Sequence, residues 1–584
     1  MIGSGKLEVA GVPRECVREE FSGGERRVTL TLPPDAPRAE AAVKLHFRYP
    51  REAFKFDVWT AAAGFPANLC SVCQRRITYG DCTHGTVLPV LSLLDHEAKR
   101  GESIVIPPGS EPGGLFYFDL DDYFGAGVAV VFAHVRLDPG KTVELRVLLA
   151  EHEDCYRPIL KYLVENHPDH FYPALPEVWR DRGPFVMTNP DTADRLLDDA
   201  ASRGAKWSEI HNHFPHYGNY APEEPEWVSV VSHDYPELPV RRISVGKING
   251  HIGRLHARGI SAMLYIQCGG DAFKPWICKA FPEAVVRKED GRDVPTWKEC
   301  ILAFDDGRSA YSAWVGKMIE RFLENYPDID GVFFDQLCYN TLDCAHDDGR
   351  CAAEGGAPAA MTGSGYRHGA EMLMKALHPR GKRIWANGPF NLAAAKYADG
   401  IMAEGVSGTA LVLKYLCLKK PLLVHAYCEK PEIVEALMKS CLLSGGSWSL
   451  GGSSKLPDPG PYSPEVEALF SAYLPLIRPL ENAELFLAPH PFAPPAGFQG
   501  EIFRDKTDGK LFVTLIGSSL LKQLKLAVSG FVPARVRYRS TDRAEWCAAS
   551  AAGQEITLPG GSCAYLVEIT PGDVHLSVSI PVLW

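Results

Sequence analysis

Residues 330–336, Asp330-Gly331-Val332-Phe333-Phe334-Asp335-Gln336, constrain the fold more than any other stretch of this chain. An apolar run entered from Asp-Gly and stopped abruptly by a carboxylate and an amide reads as a buried strand carrying a charged group to its carboxyl end. Such runs belong to parallel sheets, whose faces are covered by helices and whose C-terminal edge is where chemistry is sited. A second segment has the same form, Gly400-Ile401-Met402-Ala403-Glu404-Gly405.

The periodicity around these segments divides the chain. Up to about residue 150, apolar and polar residues alternate, as in Arg27-Val28-Thr29-Leu30-Thr31-Leu32 and Thr142-Val143-Glu144-Leu145-Arg146-Val147. Gly and Pro punctuate these runs, the pattern of an antiparallel sandwich. From Gly183 strand-like runs alternate with helical ones, which implies βα units. Strands are predicted over 184–187, 206–213, 261–267, 331–336, 383–387, 400–404, 421–427 and 446–450, with helices such as 192–202, 248–258, 310–325 and 431–443 between them. The largest insertions follow the second, third and fourth strands and would crowd the catalytic face of a barrel. After Pro479 short strands return, over 510–516, 534–538 and 562–569.

The expected fold class is therefore multidomain, α/β plus all-β: a (β/α)8 TIM barrel flanked by an N-terminal and a C-terminal β-sandwich. The expected division is an N-terminal sandwich over 1–155, a helical linker over 156–182, the barrel over 183–482 and a C-terminal β domain over 483–584. A chain of 584 residues has ample material to bury each of these cores.

A formal net charge of -11 argues against nucleic acid or an anionic membrane as partner, since both select a basic surface. No apolar stretch is long enough to span a bilayer, and the first residues lack the charged-then-apolar pattern of a secretory signal. A cytoplasmic location is expected. Sixteen cysteines without framework spacing suit a reducing compartment.

Two strand-end carboxylates are the raw material of glycosidic bond cleavage. Asp335 is the candidate carboxylate at the anomeric carbon, as nucleophile or as stabiliser of an oxocarbenium-like transition state; the competing reading makes it a loop cap or the partner of an arginine, but an unpaired charge at the end of so apolar a strand is costly. Glu404 is the candidate general acid, its pKa expected to be raised by Asp335 and by burial; otherwise it caps a helix over 407–416. No cofactor is needed for such a reaction, and the expected partner is a carbohydrate substrate.

Asp-Gly-Val-Phe-Phe-Asp-Gln at the fourth strand and Ala-Glu-Gly at the sixth resemble retaining α-glycoside hydrolases of the dextranase-like and endo-α-N-acetylgalactosaminidase-like barrels. The chain looks closest to a glycoside-hydrolase-like family whose loop after the fourth strand carries a Cys and His-Gly-rich turn. The matching residues are Cys344-Ala345-His346-Asp347-Asp348-Gly349 and Gly365-Tyr366-Arg367, with His346-Asp347-Asp348 standing where that family has His-Gly-His. The resemblance implies that Asp335 is the nucleophile and that the substrate is α-linked.

Other strand ends supply groups suited to sugar hydroxyls. His211 and His213 end the second strand and, with strand period two, are expected to share a face. Phe214, His216, Tyr217 and Tyr220 follow as cleft-lining candidates. Gln267, Asp271, Gln336, Asn387 and His425 complete the polar set, and Trp448 is the expected apolar platform under a pyranose. Asp305 and Asp306 read as caps of the helix that follows. His211 and His213 also admit a metal-dependent hydrolase, and a catalytically silent carbohydrate-binding protein would show the same polar strand ends. Cys70, Cys73, Cys82 and His84 can supply four tetrahedral zinc ligands, although so large a domain does not need a staple. Cys338, Cys344, Cys351 and His346 lack paired spacing and read as packed thiols in a folded loop.

Overall fold

The computed structural model describes residues 3–48, 56–62, 66–68, 76–80, 85–110, 115–120, 127–336, 340–388, 391–406, 408–452, 461–517, 522–574 and 582–583. Cys70, Cys73, Cys82, His84 and Cys338 lie outside the described residues.

Eight strands close into a barrel in chain order: Phe185–Thr188, Trp207–Ile210, Ser261–Ile266, Gly331–Phe334, Arg383–Asn387, Gly400–Glu404, Leu422–His425 and Ser447–Gly452. Each pairs in parallel with its neighbours. The apolar runs become strands because helices such as Val245–His256, Ala310–Asn325 and Pro431–Ser444 cover their outer faces. The second strand is shorter than its sequence pattern, since Asn212 takes a left-handed φ of 52° and ends the extended run.

Large aromatics fill the lower part of the barrel. Trp207 and Trp385 stack at 4.6 Å, with Phe185 4.5 Å and Phe333 6.3 Å from Trp207. Gly400 makes room for this layer, because a Cβ there would lie 2.7 Å from the Trp385 ring. The connector seals the base: Asp181, at the end of the turn Pro176–Asp181, accepts hydrogen bonds from the Trp385 indole at 3.3 Å and from Arg383 at 3.1 Å. This aromatic layer closes the barrel below its upper edge.

Antiparallel sheets flank the barrel, as the alternating runs predict. At the N-terminal side, one sheet contains Gly3–Ala10, Ala39–Arg48 and Gly127–Leu137, and the other contains Glu25–Thr31, Thr142–His152 and Arg100–Val105. Their inward residues, among them Val28, Leu30, Leu45, Phe47, Phe118 and Leu145, form one core. At the C-terminal side, a six-stranded sheet containing Phe498–Asp505, Leu511–Gly517 and Ala564–Val574 encloses a second core with a four-stranded sheet. The strand Val582–Leu583 returns to pair with Thr142–His152.

The loop after the fourth barrel strand also crosses to the N-terminal side. Its hairpin, Cys351–Ala352 with Pro358–Met361, extends the first sheet by pairing Cys351 with Val135. This explains the acidic turn that departs from the His-Gly-His form: Asp347 pairs with the Arg136 guanidinium, and Asp348 accepts the amides of Arg350 and Cys351 at 2.8 Å each.

A buried charge cluster joins the parts. Glu501, fully buried in the C-terminal sheet, accepts from Arg157 of the connector and, at 2.7 Å, from Lys414, just past the helix Thr409–Leu413 of the barrel. Trp59 of the N-terminal sheet stacks on Tyr156 at 4.6 Å and meets Tyr415 edge-on at 5.2 Å, walling the cluster from water.

Candidate active site

Asp335 leaves the end of the fourth strand and is followed by Gln336 at a left-handed φ of 62°. A non-glycine residue held there stores strain, which recurs at functional sites. Tyr265 Oη donates to Asp335 Oδ2 at 2.7 Å, and Gln267 Nε2 donates in turn to Tyr265 Oη. On the other side Asn387 Nδ2 donates to Asp335 Oδ1 at 2.7 Å and to Glu404 Oε2 at 2.9 Å. Because they share one amide nitrogen, the two carboxylate oxygens can be no farther apart than the sum of those distances.

The two carboxyl groups sit in different surroundings. Asp335 is 8% exposed, whereas Glu404 stands open to solvent. Burial, reinforced by the charge of Glu404, pushes Asp335 up to about 7, against the donors Tyr265 and Asn387. No Lys, Arg or His lies within ion-pair distance of Asp335 among the described residues, so the arginine-partner reading does not apply. Glu404 is not a helix cap either, since the helix Thr409–Leu413 begins after Gly408.

His211 reaches the same edge. Its ring packs 4.3 Å from Tyr265, and its Nδ1 pairs with Glu209, which is wholly buried. Burial raises the Glu209 pKa, and Glu209 in turn raises that of His211 against the effect of burial. His425, level with Glu404 in the barrel register, pairs through Nδ1 with Ser449 Oγ at 2.9 Å. Burial lowers it to about 4, which keeps the imidazole neutral.

Several expected residues are placed elsewhere. His213 does not share a face with His211, because the left-handed Asn212 between them breaks the alternation. Its ring lies against Phe214, Phe322 and Tyr326, its Nε2 faces the Tyr265 carbonyl at 2.9 Å, and burial lowers it to about 4. The histidine pair therefore does not converge on one point, and no group of three or more His, Cys, Asp or Glu is arranged to hold a metal ion among the described residues. Trp448 is fully buried and, one residue from the inward-facing Ser449, lies on the opposite side of its strand. Phe214 and Tyr220 are fully buried beneath the edge. Tyr217 lines a neighbouring cavity of about 170 Å³ with His216, His233 and Asp234.

Gln267 is committed on both ends, its Oε1 accepting the Asp271 amide at 2.9 Å, so it positions Tyr265. Asp271 is itself buried, which raises it to about 6. Asp305 and Asp306 accept the amides of Gly307, Arg308 and Ser309, while Ser309 caps the helix Ala310–Asn325. His346 bonds Asp343 and the Glu283 carbonyl, folding its own loop. Sequence reading missed Tyr265 and Glu209. Each stands two residues before a recognised edge residue, Gln267 and His211, and so on the same face of its strand.

No family model and no curated protein matches the sequence. Solved structures do match over nearly the whole chain. A variant of the GH36 α-galactosidase AgaA from Geobacillus stearothermophilus, in complex with 1-deoxygalactonojirimycin, is 11% identical, with 98% of this chain and 87% of that chain covered and a TM-score of 0.55. A GH31 family sulfoquinovosidase from E. rectale, in complex with an aza-sugar inhibitor, is 12% identical, with 97% and 93% covered and a TM-score of 0.54. The α-N-acetylgalactosaminidase NagBb from Bifidobacterium bifidum is 12% identical, with 88% and 90% covered and a TM-score of 0.53. The fold, a closed parallel barrel with flanking antiparallel sheets, is glycoside-hydrolase-like.

Proposed function

We propose that this protein is a retaining glycoside hydrolase acting on an α-linked sugar, of the kind the dextranase-like and endo-α-N-acetylgalactosaminidase-like barrels represent. The observation that carries the reading is the shared amide of Asn387. It keeps the Asp335 and Glu404 oxygens closer than the roughly 6.5–9.5 Å that inverting enzymes leave for a water, and near the roughly 5–5.5 Å of retaining pairs.

In the first step the Asp335 carboxylate attacks the anomeric carbon as the bond to the leaving oxygen breaks, and the Glu404 carboxyl gives its proton to that oxygen. In the second, Glu404 takes a proton from water, whose oxygen displaces Asp335 from the anomeric carbon. Tyr265 and Asn387 hold Asp335 in line. His211, partly exposed on the same edge, meets a sugar hydroxyl, whereas His425, fully buried against Ser449, backs the wall beside Glu404 and does not reach the substrate. The substrates of two solved structures of like fold, an α-galactosidase and an α-N-acetylgalactosaminidase, make α-galactosides and α-N-acetylgalactosaminides the first compounds to test. The expected result is turnover of one of them and covalent labelling of Asp335 by the matching fluorinated glycoside, located by peptide mass; labelling elsewhere would overturn the assignment.

The raised pKa of Asp335 gives the reading a pH signature. The nucleophile acts ionised while Glu404 carries its proton, so burial alone raises Asp335 in the active form and the acid limb of kcat/KM should lie above the ordinary carboxylate value of 3.8 and below about 7. Tyr265→Phe removes a hydrogen bond that favours the ionised form and should move this acid limb to higher pH. A stopped assay of kcat/KM from pH 4 to 9 on both proteins checks it; a limb that does not move would remove Tyr265 from this role.

A further inference from the structure

Trp448 cannot serve as the apolar platform of the site, yet one large aromatic does stand at its edge. Tyr427 is 42% exposed, an unusual state for so large a ring in a chain whose aromatics are otherwise mostly packed. It follows the seventh barrel strand by two residues, and its ring stays 5.1 Å from that of His425, edge-on. His425 is paired in register with Glu404. Tyr427 therefore lies beyond the level of Glu404, past the carboxyl end of its strand and on the solvent side. Its exposure, its contact with His425 and the register of His425 with Glu404 put the ring at the mouth of the site.

A glycosidic oxygen protonated by the solvent-exposed Glu404 leaves toward solvent, into the mouth where this ring stands. The apolar C–H face of a pyranose, or an aryl ring, stacks on such a surface; a methyl group is too small to cover it.

We infer that Tyr427 is the floor of a leaving-group subsite, and that the substrate carries a ring, a second pyranose or an aryl group, on the oxygen that Glu404 protonates. The inference rests on the glycosidase reading and adds the class of aglycone to it. The test compares wild type, Tyr427→Ala and Tyr427→Phe on methyl, 4-nitrophenyl and glucosyl α-D-galactopyranosides, the last being melibiose, or on the corresponding N-acetylgalactosaminides. Tyr427→Ala should lower kcat/KM about tenfold or more on the two ring-bearing substrates, with little change on the methyl glycoside, while Tyr427→Phe stays near wild type. An equal loss on all three substrates, or no loss, would overturn the subsite. If wild type turns over none of them, the glycosidase reading fails separately, and calorimetry decides the subsite. Melibiose binding by wild type that Tyr427→Ala abolishes would support it, and identical isotherms, including no heat from either protein, would refute it.

Discussion

Asp335→Asn should lower turnover of the protein's glycoside substrate by at least about 10⁴-fold and should also make the fold more stable. The first effect follows from removing the only group placed to form a covalent link with the anomeric carbon in the proposed mechanism. The second follows from the cost of keeping that group charged. Its folded pKa of about 7 lies above the ordinary 3.8, so the native state holds the proton more tightly than the unfolded chain. The resulting penalty is absent below about pH 4, grows as pH rises and is complete above about 7. The neutral amide avoids it. Melting curves of the two proteins should therefore coincide near pH 4 and separate above pH 7, with the variant melting later. A variant that loses activity yet melts earlier at pH 8 would show instead that ionised Asp335 stabilises the fold.

Glu501→Ala is expected to destabilise the protein by about 3–5 kcal/mol. The substitution leaves Arg157 and Lys414 buried without their shared counter-ion, and unpaired buried charge costs far more than the pair contributes. Burial opposes ionisation of Glu501, but the two cations outweigh it and hold the carboxyl down at about 2. Its stabilising effect is therefore present above the ordinary 4.5 and is lost as pH falls toward 2. Lys414 lies just beyond the helix that follows the Glu404 strand, so activity should fail at a lower temperature as well. Urea midpoints at pH 7 and pH 3 check both claims: a large loss at pH 7 and a smaller one at pH 3 are expected, and equal losses would show that the charge of Glu501 is not what matters.

The barrel was legible because each of its strands is an apolar run that helices cover, and the fifth and sixth strands match their sequence bounds, Arg383–Asn387 and Gly400–Glu404. Strand ends were harder, since the direction of a side chain there depends on a single φ. His211 and His213 look equivalent on paper, but Asn212 turns one into the mouth and the other into the helical layer. Trp448 and Ser449 show the same problem as parity: the tryptophan attracts the eye, while the serine is the residue that faces His425. Glu209 and Tyr265 were hidden inside strands, where period two from a known edge residue would have found them. The acidic turn at Asp347 and Asp348 was opaque for another reason. Its partners, Arg136 and the sheet that receives the hairpin, lie more than two hundred residues earlier.

In the proposed mechanism Asp335 and Glu404, bridged by Asn387, cleave a glycosidic bond in two displacements. The most direct test is proton NMR of the first sugar released from a hydrolysed α-glycoside, read before mutarotation. Two displacements release the α-anomer first, and the β-anomer appears only as the solution equilibrates. Initial release of the β-anomer would mean a single displacement, and would contradict that mechanism.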